Sequence, residues 1–320
     1  MRILSRVLRT GSGPDVAVEL AGRHVSAARV ELGPSGIVIA AHAVEELPSH
    51  ALDVSLTNPN IRDRSAVRAV LGRVLERVGQ PRRIGLIVPD LVAKVSLVRF
   101  AQVPARSEEL KQLIRWQIRK AAPFSMDEAQ VSYVPGERTD EGQEFIVVVA
   151  RRDVVHDYEA LCSEAGAHAG IVDLSTFNVV NAVLAGTAPP AGDWLLVNVA
   201  SEYASMAILR GQHLIFFRNR SSDADETLAD LVHQTAMYYE DRLQGKGFGR
   251  VVLSGTSAAG RQAADADQIR RSLEARLGAR VETADARTAA ALSDRIAASP
   301  ALLNTLTPLV GLLLREREAA

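Results

Sequence analysis

Two stretches of this 320-residue chain begin with the same arrangement of short apolar runs. Each arrangement is a strand-length apolar run, a sharp turn, and then two further runs that suit a hairpin. A helix follows each set, and a break at Pro189-Pro190 precedes the second set. The three runs are 15–20, 25–31 and 37–44 in the first half, and 194–199, 203–209 and 213–218 in the second. This repeat predicts a duplicated mixed α/β architecture.

The segment between the two arrangements has a different character. Residues 91–166 read as strand, helix, strand, strand and helix, with Pro104 ending the first strand and Pro123 ending the first helix. This order predicts a small unit inserted into the first domain. The predicted organisation is a basic tail (1–14), a first domain in two parts (15–90 and 167–190), the inserted unit (91–166), a second domain (193–300) and a C-terminal helix (301–320).

Composition excludes several classes of function. The formal net charge is −1, so no overall field draws the chain to nucleic acid. The single cysteine, Cys162, rules out an intramolecular disulfide and favours a reducing cytoplasm. It lies on the apolar face of its predicted helix, where we expect it to be buried. No run approaches the roughly 18 consecutive apolar residues that a membrane-spanning helix needs, and the histidines show no spacing typical of a metal site.

The N-terminal segment combines basic and apolar residues. Its first acid is Asp15, and four apolar residues would share one face of a short helix. The residues of this pattern are Arg2, Arg6 and Arg9 with Ile3, Leu4, Val7 and Leu8. The pattern suits a weak anchor for anionic lipid or for a partner. The alternative is a basic terminus without a binding role.

The inserted unit carries the most specific pattern in the chain. Its strings, in order, are Val95 to Phe100 with Val103-Pro104, Glu108-Glu109-Leu110, Ile114-Arg115-Trp116, Pro123-Phe124, Asp127-Glu128 before Tyr133, and Val147-Val148 with Ala150-Arg151-Arg152 before Val154-Val155. This series resembles the PilM family of bacterial type IV pilus proteins. That family belongs to the actin-like ATPase superfamily and is related in fold to the division protein FtsA. The resemblance is dense over the inserted unit and looser elsewhere.

The resemblance implies an actin-like (ribonuclease H-like, duplicated) two-domain fold with an inserted α+β subdomain called 1C. Few residues follow Arg218 before the next predicted helix, so we expect the second domain to lack most of the subdomain called 2B. The resemblance also implies a cytoplasmic protein at the inner membrane, with peripheral membrane association and contacts to other pilus platform or motor proteins. Its implied partner is the N-terminal tail of the membrane protein PilN, bound in a groove between the first domain and 1C.

Three loops bind the nucleotide in actin-like proteins, and all three are altered here. Close backbone approach to phosphate requires glycine, and magnesium requires carboxylate oxygens. The departures are Glu19 for aspartate and Ala21 for glycine, Asn198 for aspartate and Ala200 for glycine, and Thr256 and Ser257 for two glycines. The positions that would contact a retained nucleotide are Glu19, Gly22, Arg23, Asn198, Ser201, Gly255 and Thr256. We expect no catalytic residues, no metal and no cofactor, with weak binding of ATP and magnesium as the alternative.

The first helix of the inserted unit offers a surface for a partner. Basic residues run along one side of it beside an aromatic ring, and Trp and Arg often anchor interfaces. The candidate partner-binding residues are Arg115, Trp116, Arg119 and Phe124. The alternative is an ordinary solvated cationic face.

These observations favour a protein-binding scaffold with a degenerate ATPase site. Two other classes stay open: an ATP-binding and ATP-hydrolysing switch, and an actin-like filament former. The sequence also leaves open whether the machine is a type IV pilus or a related type II secretion system.

Overall fold

The structure is a computed structural model that describes residues 13–33, 36–188, 190–222, 227–255 and 263–318. The predicted N-terminal helix and Thr256 lie outside these ranges. The strands are β1 (Val16–Leu20), β2 (His24–Gly33), β3 (Gly36–Glu46), β4 (Arg83–Val88), β5 (Ala93–Phe100), β6 (Ala129–Thr139), β7 (Gly142–Arg151), β8 (His168–Leu174), β9 (Asp193–Val199), β10 (Tyr203–Arg210), β11 (His213–Ser221), β12 (Arg250–Ser254), β13 (Val281–Thr283) and β14 (Ala291–Leu292). The helices are α1 (Arg64–Arg77), α2 (Ser107–Ile118), α3 (Arg152–Glu164), α4 (Ser175–Gly186), α5 (Leu228–Leu243), α6 (Ala263–Leu277) and α7 (Pro300–Glu318).

The two main sheets repeat one topology. In the first, β1, β2 and β3 form an antiparallel meander, and β4 and β8 continue from β1 in parallel. In the second, β9, β10 and β11 form the meander, and β12 and β13 continue from β9 in parallel. The strand orders are therefore β14-β3-β2-β1-β4-β8 and β11-β10-β9-β12-β13, which correspond strand for strand apart from the edge strand β14. This correspondence confirms the predicted duplicated architecture.

The inserted unit has a three-stranded antiparallel sheet, with β7 between β5 and β6. One face of this sheet packs on α2 through Ile114, Phe145 and Val147. The other face, which includes Ile146 and Val148, joins the main hydrophobic core. Because side chains alternate along a strand, both faces of β7 are buried.

Helix α3 fastens the inserted unit to the first domain. The Tyr158 hydroxyl donates to Asn60 Oδ1 at 3.2 Å, and Arg64 Nη2 pairs with Glu164 Oε1 at 2.9 Å. Strands β5 and β6 also lie beside β11 of the second domain. The inserted unit therefore contacts both main domains.

The C-terminal part of the chain returns to the first domain. Strand β14 pairs with β3 in parallel, and α7 buries its apolar face against the first sheet and α4. A buried ion pair between Arg315 and Asp173 joins α7 to β8. The chain thus leaves the second sheet after β13. It has already returned to the first domain, through β14, before it reaches residue 300, the predicted end of the second domain.

The second domain is short at the position where a subdomain would enter. Only residues 222–227 separate β11 from α5. A segment of this length has no room for a subdomain with its own core, which agrees with the predicted shortening of 2B.

Candidate functional site: the cleft between the two domains

Two hairpin turns, one from each domain, face each other across a cleft. They are the β1–β2 turn at residues 21–23 and the β9–β10 turn at residues 200–202. The end of β12, the first turn of α4 and the first half of α7 complete the walls. Among the described residues they leave a cavity of about 30 Å³, which is room for water-sized molecules.

Four of the predicted nucleotide positions meet at this cavity: Glu19, Gly22, Asn198 and Gly255. Of the other three, Arg23 is exposed on the first turn. Ser201 lies on the second turn, where its hydroxyl donates to Glu202 Oε1. Thr256 lies outside the described residues.

Glu19 is a buried carboxyl group on β1. Ser175 Oγ, at the start of α4, donates to Glu19 Oε1 at 2.7 Å. Burial raises the pKa of Glu19 to about 7, with the nearby Asp90 adding to the rise and the Ser175 hydrogen bond opposing it. Near neutral pH this side chain is therefore only partly ionised.

Asp90 is a second buried carboxyl group and lies just after β4. Its carboxylate accepts from Thr176 N at 3.1 Å, from Ser205 Oγ at 2.6 Å, and from the Thr176 hydroxyl. Burial raises the pKa of Asp90 despite these three donors. Ser205 belongs to β10 of the second domain, so Asp90 joins the two domains across the cleft.

The glycines that remain in the turns are packed against the chain itself. A Cβ atom added to Gly22 would lie 2.2 Å from Glu202 Oε1, so the Glu202 carboxylate covers the first turn. Gly255 has a φ of +82°, and a Cβ there would lie 2.2 Å from the Val199 carbonyl oxygen. The amide of Gly255 already donates to Asn304 Oδ1 at 2.7 Å.

The cavity wall is acidic. Two carboxyl groups, from Glu19 and Glu202, face it, and no lysine or arginine is among the described residues that line it. His24 is buried there and burial lowers its pKa to about 4, so it is neutral at pH 7. Three buried polar atoms of the lining have no protein hydrogen-bond partner: His24 Nε2, Ser254 Oγ and Asn304 Nδ2. Such atoms suit bound water. Within the described ranges, no group of three or more His, Cys, Asp or Glu side chains is placed to bind a metal ion.

The candidate partner surface on α2 divides into exposed and packed residues. The Trp116 side chain is 57% exposed, and the Arg119 guanidinium lies 5.3 Å from the centre of its ring. Arg115 instead donates to the Met126 carbonyl oxygen, and Phe124 packs against the core of the inserted unit. Trp116 and Arg119 are thus free to contact a partner, whereas Arg115 and Phe124 stabilise the unit.

A family model described as type IV pilus assembly protein PilM matches residues 18–251. The matched region includes the whole inserted unit and both turns of the cleft, and it covers more than half of the chain. This chain belongs to the PilM family. Comparison with curated protein sequences gives no significant match.

Three solved structures show how far the likeness extends. A chain of a structure described as the PilM-PilN type IV pilus biogenesis complex is 15% identical, with a TM-score of 0.78 over 97% of this chain and 99% of that one. The cytoplasmic domain of EpsL, from the type II secretion system of Vibrio cholerae, is 9% identical, with a TM-score of 0.50 over 95% and 94%. A Bacteroides thetaiotaomicron protein with an actin-like ATPase fold is 9% identical, with a TM-score of 0.46 over 84% and 89%.

The duplicated topology and the PilM match establish an actin-like fold for this PilM-family protein. In the part of the chain that the structure describes, no helix has the length and apolar character to cross a bilayer.

Sequence reasoning missed several residues that shape the cleft of this PilM-family protein. Asp90, Ser205 and Asn304 come from three separate elements and meet only in the folded chain. The sequence feature that could have indicated these contacts is Asp90, an acidic residue directly after the apolar strand β4 and Pro89. A charged residue in such a position is rarely buried without a specific partner.

Proposed function

We propose that this PilM-family protein is an adaptor of the pilus assembly platform at the cytoplasmic face of the inner membrane. In this role it binds the N-terminal cytoplasmic tail of a PilN-like membrane protein and does not hydrolyse ATP. The observation that carries the proposal is a contrast between two regions. The cleft is filled by the chain's own side chains, whereas the inserted unit keeps an exposed Trp116–Arg119 pair.

The state of the cleft supports the pseudo-ATPase part of the proposal. Pockets that bind drug-sized ligands measure about 300–1,000 Å³, and the described cleft residues enclose about 30 Å³. A phosphate chain entering there would meet the carboxyl groups of Glu19 and Glu202 without a lysine or arginine from the described lining. Phosphoryl transfer depends on positioning and on neutralising charge. We infer that the described cleft residues do not fit a magnesium–nucleotide complex.

The inserted unit supports the partner-binding part. It is fixed to the first domain along α3, and Arg151 Nη1 donates to the Thr57 carbonyl oxygen at 2.5 Å across the same seam. A fixed junction between the inserted unit and the first domain suits the binding of an extended tail. The binding surface is already ordered, so no conformational entropy is lost in ordering it when the tail binds. The exposed Trp116 ring with its stacked guanidinium offers an anchor of the type that dominates interface energies. The PilN-like identity of the tail rests on the family match and on the likeness to the PilM–PilN complex.

The test is titration of the full chain with a synthetic peptide that has the N-terminal cytoplasmic sequence of the PilN-like protein from the same organism. The chain has two tryptophans, and Trp194 is buried, so quenching of tryptophan fluorescence reports on Trp116. Trp116→Ala should weaken binding by about tenfold or more, as calorimetry would show. Met237→Ala is the matched control, because Met237 is 49% exposed on α5 in the second domain.

Three outcomes oppose parts of this proposal. Absence of peptide binding by the wild-type chain would refute the adaptor function. Equal affinities for wild type and Trp116→Ala would remove α2 from the binding surface. Micromolar affinity for magnesium-ATP, or measurable turnover, would replace the pseudo-ATPase with an ATP-dependent switch.

A further inference from the structure

Hydrogen bonds from the second domain to the first surround the cleft on two sides. On one side, Ser205 Oγ donates to Asp90 Oδ2 at 2.6 Å and Asn219 Nδ2 donates to the Asp90 carbonyl oxygen at 3.1 Å. On the same side, Asn198 Nδ2 donates to Thr176 Oγ1 at 2.9 Å. The Thr176 hydroxyl in turn donates to Asp90. The result is a continuous polar chain from β9 and β10 to the end of β4 and the start of α4.

The opposite side of the cleft is closed by α7 and by Glu202. Asn304 on α7 accepts the Gly255 amide hydrogen at 2.7 Å, and α7 packs on the first domain. The Glu202 carboxylate, from the second domain, lies directly on Gly22 of the first. The first turn and the loop that follows β12 are therefore both held by groups of this chain.

We propose that these contacts form an interdomain latch, which keeps the two domains closed without a bound nucleotide. We define the latch as Asp90, Thr176, Asn198, Ser205, Glu202 and Asn304. In many two-domain proteins a ligand in the cleft bridges the domains and favours the closed state. Here protein side chains supply the bridging hydrogen bonds, and the Glu202 carboxylate supplies the anionic group over the first turn. The PilM-family protein is then closed at all times, and its partner surface is presented independently of nucleotide.

The central latch bond is strong for a physical reason. Asp90 and Ser205 are both fully buried, and a buried polar group that loses its hydrogen-bond partner costs more free energy than an exposed one. Opening the domains would separate Asp90 from Ser205 and Asn219, and Thr176 from Asn198. Ser205→Ala removes one of these donors while leaving the backbone of β10 unchanged. The loss of a bond of this type should raise the open-to-closed ratio by about tenfold or more.

The test measures domain opening in the full chain without a partner. Glu76→Cys on α1 and Glu240→Cys on α5 place one label on each main domain, because both residues are exposed and the native Cys162 is buried. The distance between the labels is then followed by resonance energy transfer. Ser26→Ala is the matched control, since Ser26 is equally buried but its hydroxyl has no partner in the structure.

The latch predicts one closed distance for the wild-type chain and for Ser26→Ala, unchanged by millimolar magnesium-ATP. Ser205→Ala should add an open population, and Asn198→Ala, which breaks the neighbouring bond to Thr176, provides a second variant if Ser205→Ala does not fold. Equal open populations in Ser26→Ala and in the folded latch variants would overturn the proposal. So would closure of the wild-type chain by magnesium-ATP. The latch is a property beyond the proposed adaptor function. The energy-transfer measurement does not involve peptide binding, so the latch and the adaptor function can be refuted separately.

Discussion

Replacing Glu19 by glutamine should make the protein more stable at neutral and mildly alkaline pH. In the unfolded chain this carboxyl loses its proton around its ordinary pKa of 4.5, whereas in the folded protein burial keeps the proton until about pH 7. The unfolded state therefore releases a proton before the native state does. As pH rises from 4.5 to about 7, this difference lowers the free energy of unfolding.

The size of the effect follows from the two pKa values. At about 1.4 kcal/mol for each pKa unit, the change from 4.5 to about 7 corresponds to a loss of roughly 3 kcal/mol above pH 7. Glutamine carries no charge, and its carbonyl oxygen can still accept the Ser175 hydroxyl. Glu19→Gln should recover most of the loss at high pH. The gain should shrink towards zero as pH falls to 4.5.

A wild-type stability curve alone would not reveal this effect. Burial lowers the pKa of His24 from 6.5 to about 4. The unfolded chain therefore takes up a proton on His24 as pH falls below 6.5, while the folded protein does not, and stability falls towards acid. This slope is opposite to that of Glu19 over most of the same range. The difference between wild type and Glu19→Gln removes the His24 contribution, because both proteins contain that residue.

The assay is urea unfolding of wild type and Glu19→Gln at a series of pH values from about 4.5 to about 8.5, which spans the two Glu19 pKa values. Glu31→Gln, an exposed change on the neighbouring strand β2, controls for the altered net charge. If Glu19→Gln is no more stable than wild type at the alkaline end, while Glu31→Gln is neutral, the reasoning is wrong. Glu19 would then be ionised in the folded protein and stabilised by a cation.

Three further predictions follow from local packing. Gly311→Ala should lower the free energy of unfolding by about 2 kcal/mol or more, because its Cβ would lie 1.7 Å from the Asn178 carbonyl oxygen and would force α7 away from α4. Gly72→Ala should instead raise the free energy of unfolding by about 0.5–1 kcal/mol, since Gly72 lies inside α1 with open space around the added methyl group. Urea unfolding of each variant measures both changes. Cys162 is buried and burial raises the pKa of its thiol to about 12, so a thiol reagent at mildly alkaline pH should react only after denaturant is added.

The sequence patterns predicted the elements that have one polar and one apolar side. The hairpins that open each domain and the helices α1, α2 and α3 all have this character. Helix α4 escaped prediction, because its residues from Ser175 to Val183 are all buried and show no polar face. Strand β14 escaped for another reason. It has two residues, and only its pairing with β3 identifies it as a strand.

The cleft was predictable in position but not in content. The resemblance to the PilM family implied that the turns after β1 and β9 and the loop after β12 share one cleft, and Glu19, Gly22, Asn198 and Gly255 do meet there. The contacts that fill the cleft depend on how the two domains are placed relative to one another. Neither the Glu202–Gly22 contact nor the Asn304–Gly255 hydrogen bond has a signature in local sequence.

The charge balance of the cleft relates the altered residues of the nucleotide-binding loops to the interdomain latch. The buried Asp173 has a cationic partner, Arg315, away from the cavity. Glu19 and Asp90 have hydroxyl and amide donors instead, and burial raises the pKa of both. Burial without a neighbouring cation disfavours the ionised form of a carboxyl group. Glu19 and Asp90 are therefore held by internal hydrogen bonds, and the bond from Ser205 to Asp90 also joins the two domains.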